Sequence, residues 1–224
     1  MNDDLARSWV ANAQAWAHAV EARLIESRRV ATDDAVVQAI RARQPRRVLD
    51  AGCGEGWLAR ALAVQGIDVV GIDACAALVE VARRNGGGEF HVLPFGSIPD
   101  LARTPSRGGR FDAVVFNFAL LDEDLAPVLA SVRTLLAPSG ALVIQTVHPW
   151  AARGPAPYRD AWRMETFEGF ESTFPAAMPW HYRTLGSWAA LLAGSGFVID
   201  RLLEPSHPGT GEPLSLLMVA VPSR

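Results

Sequence analysis

Two acids and three glycines in the first third of the chain have the types and the spacing of a nucleoside-binding site. Asp50 ends an apolar run, glycines follow at positions 52, 54 and 56, and Asp73 ends a second apolar run. In a β-α-β unit, glycines let a ligand approach the backbone closely, and the acid that ends the second strand accepts hydrogen bonds from ribose hydroxyls. This stretch therefore predicts binding of a nucleoside-bearing cofactor.

The spacing of the glycines separates two classes of cofactor. Dinucleotide-binding turns follow the pattern G-x-G-x-x-G, in which the third glycine lies inside the helix. Here Gly52, Gly54 and Gly56 follow the pattern G-x-G-x-G, and Trp57 stands where the third dinucleotide glycine would be. Asp50 would repel a diphosphate and suits a positively charged ligand. The pattern favours a cationic cofactor, and an NAD(P) oxidoreductase is the weaker alternative.

Strands and helices must alternate around this site to position it. Apolar periodicity and turn residues predict strands at 47–50, 68–72, 89–93, 111–117 and 141–147, and helices at 55–65, 76–84 and 122–136. Helices at 5–29 and from 32 come first, and a helix at 184–193 precedes two last strands at 196–204 and 214–221. The connection between these last strands is too short for a parallel crossover. We predict an α/β fold with a doubly wound, mostly parallel sheet and a C-terminal antiparallel hairpin.

Four segments in this order resemble the motifs of class I S-adenosylmethionine-dependent methyltransferases. They are residues 48–56, 71–73, 111–115 and 136–142. The resemblance covers about residues 46–148 well and the last part of the chain more loosely. It implies a seven-stranded Rossmann-like sheet and S-adenosylmethionine as the cofactor. A weaker similarity points to quinone- and antibiotic-tailoring methyltransferases, without naming a substrate.

The resemblance also implies which residues hold the cofactor. An acid and the glycine-turn backbone hold the methionine end, an acid holds the ribose, and its neighbour packs on the adenine. The loop at 94–98 lacks the usual acid for the adenine amino group, so this contact is either missing or supplied by Ser97, Asp100 or the backbone. The predicted cofactor residues are Asp50, Gly52, Cys53, Gly54, Asp73, Ala74, Ser97, Asn117 and Arg29. Simpler alternatives are helix capping for Asp50, a turn role for Asp73, and a solvated helix end for Arg28 and Arg29.

The acceptor must be recognised elsewhere, and residues 149–183 are the predicted substrate or lid insertion. Nine of the chain's eighteen aromatic residues lie between 150 and 188. Trp150 and Trp180 are predicted to contact a flat or apolar small molecule, and Arg183 an anionic group on it. The alternative is that the aromatics only build a core for the insertion. His181 and His148 are the candidate general bases, each with a structural role as its alternative.

Composition excludes several other functions. All 21 basic residues are arginine, so the lysine of a P-loop or of a pyridoxal-phosphate enzyme is absent. The net charge of −3 and a strand-four end without prolines argue against nucleic acid. Two cysteines do not support a metal site, and no apolar run is long enough for a membrane span. We expect a cytoplasmic monomer or homodimer.

The predicted organisation is a single methyltransferase domain over residues 1–224. It divides into an N-terminal helical cap at 1–44, a cofactor-binding core at 46–148, the insertion at 149–183, and a final helix and hairpin at 184–224. The predicted function is methyl transfer from S-adenosylmethionine to a small, aromatic or apolar molecule. A non-catalytic protein that binds the same cofactor is the second alternative, beside the oxidoreductase.

Overall fold

A computed structural model describes residues 3–103, 110–168, 170 and 173–223. Its strands are β1 (Arg47–Ala51), β2 (Asp68–Asp73), β3 (Glu89–Val92), β4 (Phe111–Asn117), β5 (Leu136–Val147), β6 (Ala161–Glu165), β7 (Met178–Tyr182), β8 (Phe197–Leu203) and β9 (Ser215–Pro222). Its α-helices are α1 (Asp3–Glu21), α2 (Asp33–Arg41), α3 (Trp57–Ala63), α4 (Ala76–Asn85), α5 (Ile98–Arg103), α6 (Ala126–Leu135), α7 (Pro149–Ala152) and α8 (Leu185–Gly194).

Seven strands form one sheet in the order β3-β2-β1-β4-β5-β9-β8. The pairs from β3 to β5 are parallel, whereas β5–β9 and β9–β8 are antiparallel. The predicted fold class is therefore confirmed, including the C-terminal hairpin. The strand order reverses between β1 and β4, and ligands of open α/β sheets bind at such a reversal, beyond the carboxyl ends of the strands.

The sheet is buried on both faces, which explains the continuous apolar runs of its central strands. In β4, Val114 and Phe116 belong to the cluster that includes α6, α8 and Met218. The alternating Ala113 and Val115 belong to the opposite cluster, with α2 and α3. Neighbouring residues of β4 thus pack in two separate cores, so both faces of the strand are covered up to its last residue, Asn117.

The N-terminal helix is shorter than predicted. Helix α1 ends at Glu21 rather than near residue 29, because Arg23 takes a left-handed φ of 55°. A π-helical turn, Arg28–Thr32, then leads into α2. Helix α1 packs against α4 through a cluster that includes Ala13, Cys75 and Leu78.

Other elements also differ from the sequence prediction, among them β5, which begins at Leu136 rather than at residue 141. The insertion contains an antiparallel pair, β6–β7. The sequence does not predict it, because both strands have only five residues and β7 contains a proline. Helix α6 begins at Ala126 rather than Asp122. The carbonyls of Asp122 and Glu123 accept hydrogen bonds from the Arg183 guanidinium, which holds this segment outside the helix.

Candidate functional site

The turn between β1 and α3 depends on three glycines in left-handed conformation. Gly52, Gly54 and Gly56 have φ angles of 81°, 54° and 85°, which cost little only for glycine. The N–H groups of Gly52 and Cys53 both donate to the Ile72 carbonyl, at 2.8 and 3.0 Å. The chain therefore turns tightly at the carboxyl ends of β1 and β2 and leads directly into α3.

The segment after β4 lies across this turn. A Cβ at position 52 would overlap Ala119 Cβ and would stand 3.4 Å from the Phe95 ring. The preceding Phe118 has a φ of 54°, an unusual conformation for a bulky residue that is characteristic of constrained functional segments. Its N–H donates to the Gln145 carbonyl at 2.7 Å. The glycine turn and the end of β4 are thus in direct contact.

Asp73 organises the same turn from the end of β2. Its Oδ2 accepts the Gly54 N–H at 3.0 Å, and its Oδ1 accepts the Cys75 N–H at 2.8 Å. Burial raises the pKa of Asp73, and the backbone donors oppose that rise. Ala74 is exposed beside it. Asp73 therefore acts as a turn residue, while its predicted contact with a ribose stays a prediction.

Asp50 is the most unusual acid in the molecule. Its side chain is 1% exposed, and its Oδ2 has no hydrogen-bond partner among the described residues. Burial, with the nearby charges of Asp73 and Glu55, raises the pKa of Asp50 to about 7. Such a carboxyl is costly unless something pairs with it. A cationic ligand bound between β1 and β4, where the strand order reverses, would supply a partner for this carboxyl.

Glu55 closes the N-terminus of α3, a role that the sequence prediction missed. The buried Glu55 carboxylate accepts the Trp57 N–H at 3.1 Å and pairs with Arg60 at 2.5 Å. In dinucleotide folds the pyrophosphate binds at this helix N-terminus. Here an acid already occupies one of its donors and adds negative charge. An acid two residues before the first helical residue was the signal in the sequence.

Of the two arginines considered, Arg28 rather than Arg29 lies against the turn. The Arg29 side chain is exposed. The Arg28 side chain is 14% exposed, its Nε donates to Asp33 at 2.8 Å, and its guanidinium carbon lies 4.5 Å from the Trp57 ring centroid. Its Nη2 is buried and has no partner among the described residues, and the same holds for Thr32 Oγ1. These two groups can bind a carboxylate.

A polar network links the π-helical turn to the ends of β4 and β5. Gln145 Nε2 donates to the Thr32 carbonyl at 3.0 Å and to Asn117 Oδ1 at 2.9 Å. The predicted site residue Asn117 is therefore held in place by Gln145, which the sequence prediction did not identify. Because Asp50 and Asn117 lie at the carboxyl ends of neighbouring parallel strands, within one residue of the last, the network borders the same site.

The remaining predicted cofactor residues are Ser97 and Cys53. Ser97 ends a short 3₁₀ turn, Phe95–Ser97, and is half-buried. Cys53 is buried, and burial together with the charges of Asp50 and Asp73 raises the pKa of its thiol. The thiol is therefore neutral and fills space.

Both predicted bases belong to the insertion and its border, but they differ in what holds them. His148 caps α7: its Nδ1 accepts the Ala151 N–H at 3.4 Å, and its Nε2 lies 2.8 Å from Glu204 Oε1. Both ring nitrogens are engaged, so this geometry favours the structural alternative. His181 has a buried Nδ1 without a partner among the described residues.

The predicted substrate residues occupy different environments. Trp150 is 58% exposed, with the Arg153 guanidinium 4.1 Å from its ring centroid. Trp180 is half-buried, 5.9 Å from the Tyr182 ring. Arg183 is buried, and one of its terminal nitrogens donates to the two carbonyls before α6. Its other terminal nitrogen has no partner among the described residues.

Three insertion aromatics build a core instead. Phe167 stacks on Phe174 with ring centroids 4.1 Å apart, and both pack with Phe170 around Trp16 of α1. Asn12 of α1 adds two hydrogen bonds to the Ala176 backbone, at 2.7 and 3.0 Å. Core packing therefore accounts for these three rings. Helix α1 and the insertion pack against each other as one unit, which we call the cover.

The described residues contain neither a metal-binding cluster nor a membrane-spanning helix. No group of three or more histidines, cysteines or acids stands close enough to bind a metal ion. Within the same part of the chain, no helix has the length and apolar character to cross a bilayer.

Comparison with known proteins agrees with this geometry. A family model described as "Methyltransferase domain" matches residues 16–202. The chain belongs to the methyltransferase-domain family. The match includes the glycine turn, both acids and the insertion.

The matches to individual relatives are shorter than the match to the family model. The ubiquinone biosynthesis O-methyltransferase of Marinobacter nauticus is 33% identical over 107 residues, 46% of this chain and 44% of that protein. The malonyl-[acyl-carrier protein] O-methyltransferase of Enterobacter lignolyticus is 31% identical over 131 residues, 58% of this chain and 49% of that protein. The chain thus spans about half the length of the curated relatives it matches.

Solved structures share the fold of this family member. The Burkholderia thailandensis 1,6-didemethyltoxoflavin-N1-methyltransferase, with bound 1,6-didemethyltoxoflavin and S-adenosylhomocysteine, superposes with a TM-score of 0.64. It is 21% identical, and the match covers 100% of this chain and 92% of that one. At this identity the likeness establishes the fold.

Proposed function

We propose that the protein binds S-adenosylmethionine at the β1–α3 turn and transfers its methyl group to a small molecule. The observation that carries this proposal is the buried Asp50, whose Oδ2 has no partner among the described residues. The ammonium and sulfonium groups of S-adenosylmethionine supply the positive charge that this carboxyl lacks. Membership of the methyltransferase-domain family supports the same cofactor.

The geometry suggests a division of the cofactor among the site residues. Asp50, Asn117 and the backbone of Gly52, Cys53 and Gly54 would hold the methionine end, with its carboxylate on Arg28 and Thr32. Arg28 is better placed for this than the exposed Arg29 predicted from the sequence. Asp73 would hold the ribose, and Ala74 and Ser97 would border the adenine.

The oxidoreductase alternative is disfavoured by Glu55. A pyrophosphate at the N-terminus of α3 would meet the Glu55 carboxylate, which already accepts the Trp57 N–H. Two negative groups at one helix N-terminus repel each other. NADH fluorescence therefore should not change when the protein is added.

We propose that the acceptor is small and aromatic or apolar, and that residues 1–44 and 149–183 cover it. Trp150, Trp180 and the Arg183 nitrogen without a partner support this assignment. The names of the O-methyltransferase relatives support an oxygen acceptor. The net negative charge of the chain supports a small-molecule acceptor over nucleic acid. We further propose that the protein is a cytoplasmic monomer or homodimer.

Positioning is the main contribution expected of the protein. Aligning nucleophile, methyl and sulfur in a water-free site lowers a barrier by several kcal/mol, up to about 7–11 in intramolecular models. The test measures S-adenosylhomocysteine formation from S-adenosylmethionine and a panel of phenols, amines and carboxylates. Binding with turnover supports the proposal. Binding without turnover on any acceptor supports the non-catalytic alternative, and absence of binding contradicts both.

A further inference from the structure

One polar cluster joins the insertion to the segment between β4 and α6, outside the cofactor turn. It consists of Glu123 from that segment, Trp162 from β6 and His181 from β7. Its backbone link is the bond from the His181 N–H to the Leu121 carbonyl, at 2.8 Å. Trp162 and His181 are directly opposite in the β6–β7 pair, so the hairpin fixes their relative positions.

The two nitrogens of the His181 ring have opposite surroundings. Nε2 lies 3.8 Å from Glu123 Oε1, and the Glu123 side chain is 64% exposed. Trp162 Nε1 donates to the other Glu123 oxygen at 3.0 Å, and the Trp162 ring meets the imidazole edge to face at 5.4 Å. Nδ1 is buried and has no hydrogen-bond partner in the described part of the chain.

This arrangement favours one tautomer of the His181 imidazole. A carboxylate beside Nε2 favours the proton on that nitrogen, which leaves the lone pair on Nδ1. The His181 side chain is only 8% exposed, so water does not freely reach that lone pair. A base that has an acid beside one ring nitrogen and a lone pair without a partner on the other is the arrangement used for proton abstraction.

His181 also lies near the predicted site of methyl transfer. Ala119 touches the glycine turn at Gly52, and Leu121, which binds the His181 backbone, follows two residues later. Two residues of extended chain span at most about 7 Å. The segment after β4 therefore brings the cofactor turn and His181 to the same end of the sheet.

We propose that Glu123 and Trp162 hold His181 so that its Nδ1 accepts the proton of a hydroxyl-bearing acceptor during methyl transfer. This inference rests on the proposed function. The acceptor oxygen forms a bond to the methyl carbon while the sulfur–methyl bond breaks, and that electron pair stays on sulfur. The hydroxyl proton moves to Nδ1. The products are a methyl ether, S-adenosylhomocysteine and an imidazolium that faces Glu123.

The charges around His181 suit this role. Burial and the neighbouring Arg183 lower the pKa of His181, while Glu123, Asp160 and Asp122 oppose the decrease. The ring is therefore neutral at pH 7, and the rate should rise with pH as His181 loses its proton. Removing the charge of Glu123 lowers the pKa of His181 further and weakens the base.

The test combines Glu123→Gln, His181→Asn and the matched control Asp124→Asn, which removes the adjacent exposed acid. In the protein without ligands, NMR titration should show a lower His181 pKa in Glu123→Gln and no change in Asp124→Asn. With S-adenosylmethionine and catechol, His181→Asn should reduce kcat about 10²- to 10⁴-fold. Its affinity for S-adenosylhomocysteine, measured by calorimetry, should stay unchanged.

Several results would overturn the inference. An unchanged His181 titration in Glu123→Gln, or full turnover in His181→Asn, removes the role of the cluster. If the protein methylates benzylamine rather than catechol, or methylates neither, the inference that the acceptor bears a hydroxyl group is wrong. The proposed function fails separately, through absence of S-adenosylmethionine binding by the unmodified protein.

Discussion

The glycine turn and the insertion are built from contacts of very different range. At the turn, Asp73 binds Gly54 and Cys75, which lie 19 and 2 residues away in the chain. In the insertion, Ala176 is bound by Asn12, 164 residues away, and Arg183 binds Asp122, 61 residues away. The glycine turn is thus held mainly by local contacts, whereas the insertion is held by contacts from distant segments.

This difference has consequences for stability and for specificity. The turn directly follows β1, and Cys53 of the turn belongs to one of the two cores of the sheet. The insertion depends on a satellite cluster, in which Leu5, Phe167 and Met178 are the buried members. Changes in that cluster should loosen the cover while leaving cofactor binding intact, and the following predictions test this separation.

The largest effect is expected for Phe167→Ala. Phe167 is buried and stacked on Phe174, and removing a buried phenylalanine costs about 3–5 kcal/mol. Hydrogen exchange should show that loss at the amides of β6 and β7, while the amides of β4 stay protected. Met164→Ala, at an exposed position of β6, is the control. Equal loss of protection in β4 would mean that insertion and sheet unfold together.

Asp73→Ala should affect the other region. The substitution removes the acceptor of the Gly54 and Cys75 N–H groups, and hydrogen bonds to charged groups contribute about 1.5–3 kcal/mol each. Affinity for S-adenosylhomocysteine should fall about 100-fold or more, as measured by calorimetry. Asp68→Ala, at the exposed start of the same strand, should bind normally. Similar affinities of the two variants would exclude Asp73 from the cofactor site.

A smaller effect separates two glycines of the turn. Gly52 and Gly54 both have positive φ, but only at position 52 would a Cβ overlap a neighbour, Ala119. Gly52→Ala should therefore lower the free energy of unfolding by about 1–3 kcal/mol more than Gly54→Ala. Urea unfolding of both variants measures the difference. Equal destabilisation would show that the segment after β4 does not lie tightly on the turn.

The sequence predicted the turn more fully than the insertion for the same reason. Left-handed glycines and strand-ending acids have recognisable spacings, so Gly52, Asp50 and Asp73 could be named from the chain alone. That Arg28 rather than Arg29 lies against the turn depends on a π-helical turn, and such a turn has no recognisable sequence pattern. The division of the aromatics between packing and exposure depended on Trp16 and Asn12 of a distant helix, and no local periodicity encodes that contact.

Asp50 connects the cofactor proposal to pH. Its pKa in the folded protein is about 7, above the ordinary value, so folding becomes less favourable as pH rises from about 4 toward 7. Bound cationic groups would lower this pKa again, so binding should release about half a proton at pH 7 and almost none at pH 9. Asp50→Asn should abolish this proton release on binding and the difference in release between pH 7 and pH 9.

The most direct measurement is therefore a calorimetric titration with S-adenosylmethionine at pH 7, in two buffers of different ionisation enthalpy. We expect saturable binding, with a buffer-dependent heat that corresponds to proton release and is absent in Asp50→Asn. Absence of binding would contradict the assignment of the cofactor, and binding with the same heat in both buffers would contradict the role of Asp50.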